Sequence, residues 1–383
     1  YTTDYSTAIN IMKNIKKQLP ILLALISAAL FGSATPASKI LLDSFSPIQL
    51  AGLLYLGAAI GVIPLLVKDK DIKLPTQLST KNRWYLLGAI VFGGIIAPVF
   101  LLLGLRFASA ASVSLWLNLE LVATAILGYC FFQDNLGLIG WIGVGGCILA
   151  AVLLSVGEGV AGIEAGLLVT IACIAWGLDN HFTALIDGIS PTQSTFYKGT
   201  VAGSLNLLLG ILIEPSTTSP GNIFIALGIG ILAYGISIVL YITSAQSLGA
   251  TRSQMLFSSA PFFGILFSAL ILREEIILLQ MIALLLKIFS LFALFQDQHS
   301  HKHRHLEIAH QHQHNHSDGH HSHDHTEFST SLVHSHWHDH QRILHTHFHI
   351  PDIHHRHQHH SFSDQESDRD ISSTQVSQKD KDH

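Results

Sequence analysis

The sequence predicts an all-α integral membrane protein, with ten transmembrane helices in two inverted five-helix repeats and a disordered, histidine-rich tail. Three observations predict it. Ten apolar stretches succeed one another between positions 20 and 295, and about 20 helical residues span a bilayer core of roughly 30 Å. Only 12% of the 383 residues are charged, against roughly 25% in an ordinary soluble domain. Of the 26 histidines, His181 alone precedes Phe295; the other 25 fall in the last 87 residues. A single soluble globule is excluded, and body and tail need separate explanations.

The apolar runs cover 20–40, 47–67, 84–105, 107–132, 136–156, 165–186, 192–213, 223–244, 253–272 and 276–295. Five of them (47–67, 84–105, 136–156, 223–244 and 253–272) hold no charged residue at all. Turn chemistry separates the runs: SFSP at 44–47, QDN at 133–135, GISP at 188–191 and PSTTSPGN at 215–222. Lys13, Lys16 and Lys17 before the first run resemble a signal-peptide start, but the runs that follow at once make it a first membrane helix. Cys130, Cys147 and Cys173 lie within apolar runs without a pairing pattern, so neither a disulfide framework nor a cysteine zinc site is expected.

Lysine and arginine set the orientation. With residues 1–19 cytoplasmic, the 68–83 connection is cytoplasmic too, and it carries Lys68, Lys70, Lys73, Lys81 and Arg83. The 157–164 and 214–222 connections fall outside and hold no Lys or Arg, although Arg106 and Arg273 sit at outer ends against the trend. An even number of spans returns the chain to the cytoplasm. The expectation is a multi-pass protein of the cell (inner) membrane with both termini inside.

The body divides at GEGVAG (157–162) into halves 20–156 and 163–296 that echo each other. Shifting by 140 residues lays ASAASVSLWLNLELVATAILGYCFFQD over LGATRSQMLFSSAPFFGILFSALILRE, matching Ala110 with Ala250, Leu121 with Pro261 and Asp134 with Glu274. FGSATPASKILL (31–42) likewise lies opposite WGLDNHFTALI (176–186). Five helices per half is an odd number, so the second copy must enter the membrane upside down. Inverted repeats mark secondary transporters, whose substrate site lies near the midplane between the repeats.

On these elements the chain resembles EamA-type members of the drug/metabolite transporter superfamily. Phe31-Gly32-Ser33, Pro36, Lys39 and Asp134 carry the likeness in the first half, and Trp176-Gly177, Pro261 and Glu274 in the second. Leu121 stands where the family usually has Pro, and Asp134 where it usually has Glu. The resemblance implies ten helices, cytoplasmic termini and a central cavity lined by the fourth helix of each repeat. It covers about 20–296 and leaves the substrate open among amino acids, sugars, nucleotides and cationic drugs.

Ionisable groups at bilayer depth cost several kcal/mol, on the order of 3 by insertion scales, so each is a functional candidate. Glu120 is the only charge of its run, in WLNLELVAT with Asn118. Desolvation favours the neutral form of a carboxyl, which suits proton exchange during a transport cycle. Asp179 and His181 interrupt the sixth run and lie about 200° apart on a helix, so both cannot face one cavity. Asp179 shares a stripe with Cys173, Trp176 and Thr183 and reads as cavity-facing; His181 shares one with Gly177 and Leu185, which suits helix packing as well as the cavity. Lys198 either pairs with Asp179 or sits at the entrance. Lys39 reads as snorkelling outward, and Lys287 as a structural or subunit contact. The candidates for the cavity and its wall are Glu120, Asp179, Asn118, Trp176, Lys198 and, as a packing or cavity residue, His181.

The glycine-rich GWIGVGG and GIGILAYG lie inside charge-free runs and serve close helix packing. No nucleophile elbow, HExxH, Walker or dinucleotide motif stands in a suitable context, so no enzyme is expected. Nothing points to nucleic acid.

From 297 the pattern changes to His-x-His repeats such as HSHKHRH, HQHQHNH and HSHWHDH. Polar low-complexity sequence of this kind cannot bury a core and reads as disordered. Its neutral imidazoles suit Zn, Ni, Co or Cu rather than Mg or Ca. The metal candidates are His301, His303, His305, His312, His314, His316, His334, His336, His338, His340, His345, His347 and His349. A pH-dependent charge switch at the membrane surface is the alternative use of so many groups titrating near pH 6.5. The expected function is secondary transport of a small organic solute, cationic or zwitterionic, with no cofactor required for transport. A divalent metal (Zn, Ni, Co) transporter and a membrane-anchored metal buffer or sensor are the rivals. The expected partners are the solute, the bilayer, metal ions at the tail and, through apolar peripheral helices, a second copy in a homodimer.

Overall fold

The structure is a computed structural model that describes residues 18–69, 72–131, 137–186, 188–215, 219–248 and 256–296, plus four segments of the tail. Lys13, Lys16, Lys17, Lys70, Asp134, Ala250, His305 and His316 lie outside the described residues.

Eight of the described helices are long and apolar enough to cross a membrane. They are α1 (Gln18–Leu41), α2 (Pro47–Leu66), α3 (Thr80–Phe107), α4 (Ala110–Phe131), α5 (Leu138–Gly157), α6 (Gly159–Ala184), α7 (Pro191–Ile213) and α8 (Pro220–Ser244). Two shorter apolar helices follow, α9 (Ala260–Leu272) and α10 (Leu278–Gln296), where the last two runs are predicted. Starts are set as the sequence suggests. Ser46 and Ser190 each accept from the third following backbone N–H, ahead of Pro47 and Pro191 at the first helical turn, where proline's missing N–H costs nothing.

The helices pack through small residues, because lipid tails offer no hydrophobic drive for helix association and close approach must supply the attraction. Helices α2 and α7 run antiparallel. A Cβ at Gly210 would lie 2.7 Å from the Gln49 nitrogen, and one at Gly203 would lie 2.7 Å from the Leu56 nitrogen. Gln49 Nε2 then donates to Gly210 O (3.2 Å) and Glu214 O (2.6 Å), fastening one end of the pair. At the other end Asp69 accepts from Ser190 Oγ and Gln193 Nε2, and Tyr197 donates to Lys73 O.

Four irregularities interrupt otherwise regular helices among the described residues. Residues Ala89–Ile96 of α3, Gly230–Ile236 of α8 and Ser268–Leu272 of α9 are π-helical. Helix α4 breaks at Leu117 and Asn118, between Ala110–Trp116 and Leu119–Phe131. A matching turn at Ser258 and Ser259 precedes α9. The run 107–132, expected as one uninterrupted helix, is thus two; at the break, short bonds such as Asn118 N to Leu115 O replace the helical ladder.

Four segments of the tail, expected to be disordered, are described as strands. Segments β1 (His299–Arg304) and β4 (Leu344–His349) pair antiparallel, as do β2 (Ile308–Asn315) and β3 (Val333–His340). The register sets His301 opposite His347, His303 opposite His345, His310 opposite His338, His312 opposite His336 and His314 opposite His334. The His-x-His repeat has period two, which is also the period of an extended strand, so the same composition that cannot build a core still suits a ladder.

Candidate functional site

The break in α4 puts Glu120 in the first turn of the second half-helix, inside the bundle rather than on its lipid face. Its Oε1 accepts from Asn180 Nδ2 of α6 at 3.1 Å, and the same amide reaches Thr124 Oγ1 at 3.2 Å. The broken turn also frees backbone carbonyls; Cys173 Sγ approaches Trp116 O at 3.7 Å and Leu117 O at 3.9 Å. Asn118 is buried, and its Nδ2 has no hydrogen-bond partner among the described residues.

Asp179 lies on α6 and meets Lys198 of α7. Nζ donates to Oδ2 at 2.6 Å and to Oδ1 at 2.9 Å, with the side chains only 7% and 16% exposed. Thr183 Oγ1, one turn further along α6, adds a 2.9 Å bond to Oδ1. Of the two positions read for Lys198, the structure takes the pair. The glycines of the π-helical turn in α3 form the wall behind it: a Cβ at Gly93 would lie 2.7 Å from Asp179 Cβ and overlap the carboxylate. A π turn leaves carbonyls without their usual helical partners. Gly93 O accepts from Tyr55 Oη and from Trp176 Nε1 (3.1 Å), and Gly94 O accepts from Asn206 Nδ2 (3.1 Å).

Glu120, Asp179 and Lys198 lie within electrostatic reach of one another, and Tyr55 is within reach of both acids. The Tyr234 ring of α8 is tilted against Tyr55, with ring centroids 5.8 Å apart; Phe31 lies 5.6 Å from Tyr234, and Phe257 lies 5.4 Å from Phe31. Acids, one amine and an aromatic row therefore share one interior region. This arrangement can take up a cation or a proton at Glu120 and hold an apolar or aromatic body against the rings.

The remaining candidates separate from this cluster. His181 turns away from Asp179, and its Nε2 lies 3.0 Å from Thr124 O, as the 200° argument requires. Lys39 does not snorkel outward; it donates to Leu105 O (2.6 Å) and Ala108 O (2.9 Å) and caps the end of α3, where an ammonium complements the helix dipole. Lys287 is 0% exposed, within electrostatic reach of Cys147 and Cys173, so it faces the inside of this chain and not a subunit surface. The metal candidates of the tail lie on β1 to β4, apart from His305 and His316.

Sequence reasoning missed Tyr55, Tyr234 and Gly93. The paired glycines Gly93-Gly94 in a charge-free run were the available signal for the last of these. It also missed a polar clasp at the end of the bundle where α3 turns into α4. Glu274 accepts from the N–H groups of Ala110 and Ala111, both at 2.9 Å, and so caps the start of α4. Gln280 Nε2 donates to Ser112 Oγ at 2.9 Å and to Ser109 Oγ at 3.3 Å, and Ser112 donates to Glu158. Burial pushes the Glu158 carboxyl up from its ordinary value, and the nearby Glu274 charge adds to this; the bonds from Ser112 and Gln280 oppose it.

Comparisons with known proteins cover the helical body. A model of the EamA-like transporter family matches residues 18–156 and 164–296. An uncharacterized transporter of Methanothermobacter thermautotrophicus (strain Delta H) is 27% identical over 298 residues, spanning 71% of this chain and 85% of the relative. Among solved structures, one crystallised protein superposes with a TM-score of 0.52 at 17% identity, over 72% of this chain and 96% of its own; at that identity the likeness concerns the fold.

Proposed function

The chain belongs to the EamA-like transporter family, and from that premise we propose that it moves a small cationic or zwitterionic organic solute by alternating access. The observation that carries the proposal is the meeting of Glu120, Asp179 and Lys198 inside the bundle, beside a broken helix. Charges at bilayer depth are costly and tend to be retained for a pathway or a relay, and transporters build their sites at discontinuous helices. Glu120, held only by the neutral Asn180 among the described residues, is the acid that exchanges a proton for cargo. Asn118, Trp176 and the aromatic row complete the cavity, and His181 supports its wall.

Alternating access rests here on ten helices in two inverted halves, bounded by 20–156 and 163–296. The antiparallel approach of α2 and α7 supports this reading, since a two-fold axis in the membrane plane would relate them in that sense. So does the recurrence of a π turn in α3 and α8, and of a break in α4 and before α9. The lysine-rich 68–83 connection favours cytoplasmic termini in a cell (inner) membrane. The clasp of Lys39, Glu158, Glu274 and Gln280 then seals the outer end in this conformation.

The tail adds a metal-binding region for Zn, Ni, Co or Cu that regulates the body. Its histidines also favour a second reading, in which the metal is the cargo. Against that, no group of three or more His, Cys, Asp or Glu side chains converges among the described residues.

A tolerance screen tests both readings, with organic cations, amino acids and metal salts applied to a strain overexpressing the full chain, Glu120→Gln, or a form ending at 296. The wild type should shift tolerance to an organic solute, Glu120→Gln should abolish the shift, and truncation should leave it. An unchanged Glu120→Gln together with loss on truncation would overturn the transporter reading and leave a membrane-held metal buffer. Zn and Ni flux into proteoliposomes decides whether the metal is cargo.

A further inference from the structure

The charges of the interior cluster do not balance. Asp179 is matched by Lys198 at 2.6 and 2.9 Å. Glu120 has no cation within ion-pair distance among the described residues and accepts from a neutral amide. Two acids and one base leave one negative charge in excess. The titratable groups around them are Tyr55 of α2, Tyr234 of α8, Cys173 and His181 of α6 and, within electrostatic reach of Cys173, the buried Lys287 of α10. Tyr55 donates to a backbone carbonyl, and His181 Nε2 lies 3.0 Å from the Thr124 carbonyl. An unmatched charge in a low-dielectric interior is far more costly than a matched pair, whose members cancel each other.

We infer that Lys198 is a built-in counter-ion that limits the carrier to one exchangeable charge per cycle. It occupies Asp179 permanently, so that Glu120 alone must be neutralised before the site can reorient. The inference rests on the proposed exchange at Glu120. Its structural content is that Lys198 holds the stoichiometry at one and is not itself a ligand for cargo. Three features keep the pair closed: the bond from Thr183, the glycine wall of α3, and the small exposure of both side chains. A monovalent cation or one proton cancels the excess, so exchange of one for the other is electroneutral.

The test counts protonated carboxyls in the purified full-length protein by infrared difference spectroscopy between acidic and alkaline pH. No cargo is needed. The Glu120→Gln/Asp179→Asn double variant supplies the reference, which cancels the carboxyls of the tail and loops. The wild type should show one protonated-carboxyl band, absent in Glu120→Gln. Lys198→Met should double the band's amplitude, and the added half should vanish when Asp179→Asn is combined with it. Asp179→Asn alone, which frees Lys198 for Glu120, should weaken the wild-type band; this second variant serves where Lys198→Met does not fold. Lys198→Arg should match the wild type. A Lys198→Met or Asp179→Asn spectrum identical to the wild type overturns the counter-ion inference and leaves exchange at Glu120 standing. A wild-type band that survives Glu120→Gln overturns the exchange itself.

Discussion

Gly93→Ala probes the interior pair from the one side where no atom can give way cheaply. A Cβ there would lie 2.7 Å from Asp179 Cβ and overlap its carboxylate. The carboxylate is held in turn by Lys198 at 2.6 Å and by Thr183 at 2.9 Å. Restoring ordinary contact requires a displacement of about 1 Å. If the ion pair takes it up, lengthening from about 2.6 to about 3.6 Å costs about 2 kcal/mol at an effective dielectric of about 20. Overpacking a tight interior costs about 1–3 kcal/mol in its own right, so the variant should lose roughly 3–5 kcal/mol. Gly145→Ala is the control, because a Cβ there meets nothing within 4 Å; relief of glycine's conformational freedom should leave it neutral or about 0.5–1 kcal/mol more stable. The assay is reversible unfolding in mixed micelles followed by tryptophan fluorescence, with transport measured alongside. If Gly93→Ala unfolds within about 0.5 kcal/mol of Gly145→Ala, a threshold typical of neutral surface changes, Asp179 is not pressed against α3. The account of a pair locked by the π turn then fails.

Three further outcomes follow from the clasp and the tail. Glu158 binds a proton more readily folded than unfolded, because burial raises its carboxyl. Its contribution is therefore most favourable below the ordinary glutamate value and is lost as pH rises through the raised one. Glu158→Gln should flatten the fall of melting temperature with rising pH in that window; an unchanged slope would refute the assignment. Glu274→Ala removes acceptors from two N–H groups at the start of α4 and should cost about 1–2 kcal/mol. Glu274→Gln, which keeps one acceptor, should cost about half as much by micelle unfolding. Zn binding measured by calorimetry should disappear on truncation at 296 and weaken below about pH 6, where imidazoles protonate. Zn binding retained by the truncated form would place the metal in the body instead.

Much of the architecture is legible along the chain because the bilayer imposes a single length and polarity on every span. Eight of the apolar runs correspond to helices long enough to cross a membrane, with starts that differ by as much as six residues at α6, and Pro47, Ser46 and Ser190 mark helix starts as local chemistry demands. The interior acids stand out for the same reason: a charge among apolar neighbours is conspicuous in any reading. Lys39 illustrates the limit. Its place at the end of a helix allowed snorkelling, but only the fold brings the carbonyls of Leu105 and Ala108 within 2.6 and 2.9 Å of its amine. Lys287 makes the same point, since burial depends on which helices surround it.

Read along the chain alone, the residues establish what must be in the membrane, where the chain turns, and that the histidines form a region apart from the body. Those are local properties, set by hydropathy, turn chemistry and composition. Tertiary structure decided which charges meet. Helices α4, α6 and α7 come from distant stretches, and their separations inside the bundle depend on glycine contacts and a π turn that hydropathy does not register. It also decided that α4 breaks beside Glu120, and that the alternation of the tail is used as strand pairing. In each case the reason is that a partner lies far away in the chain, and pairing energies exist only once the fold has brought the partners together.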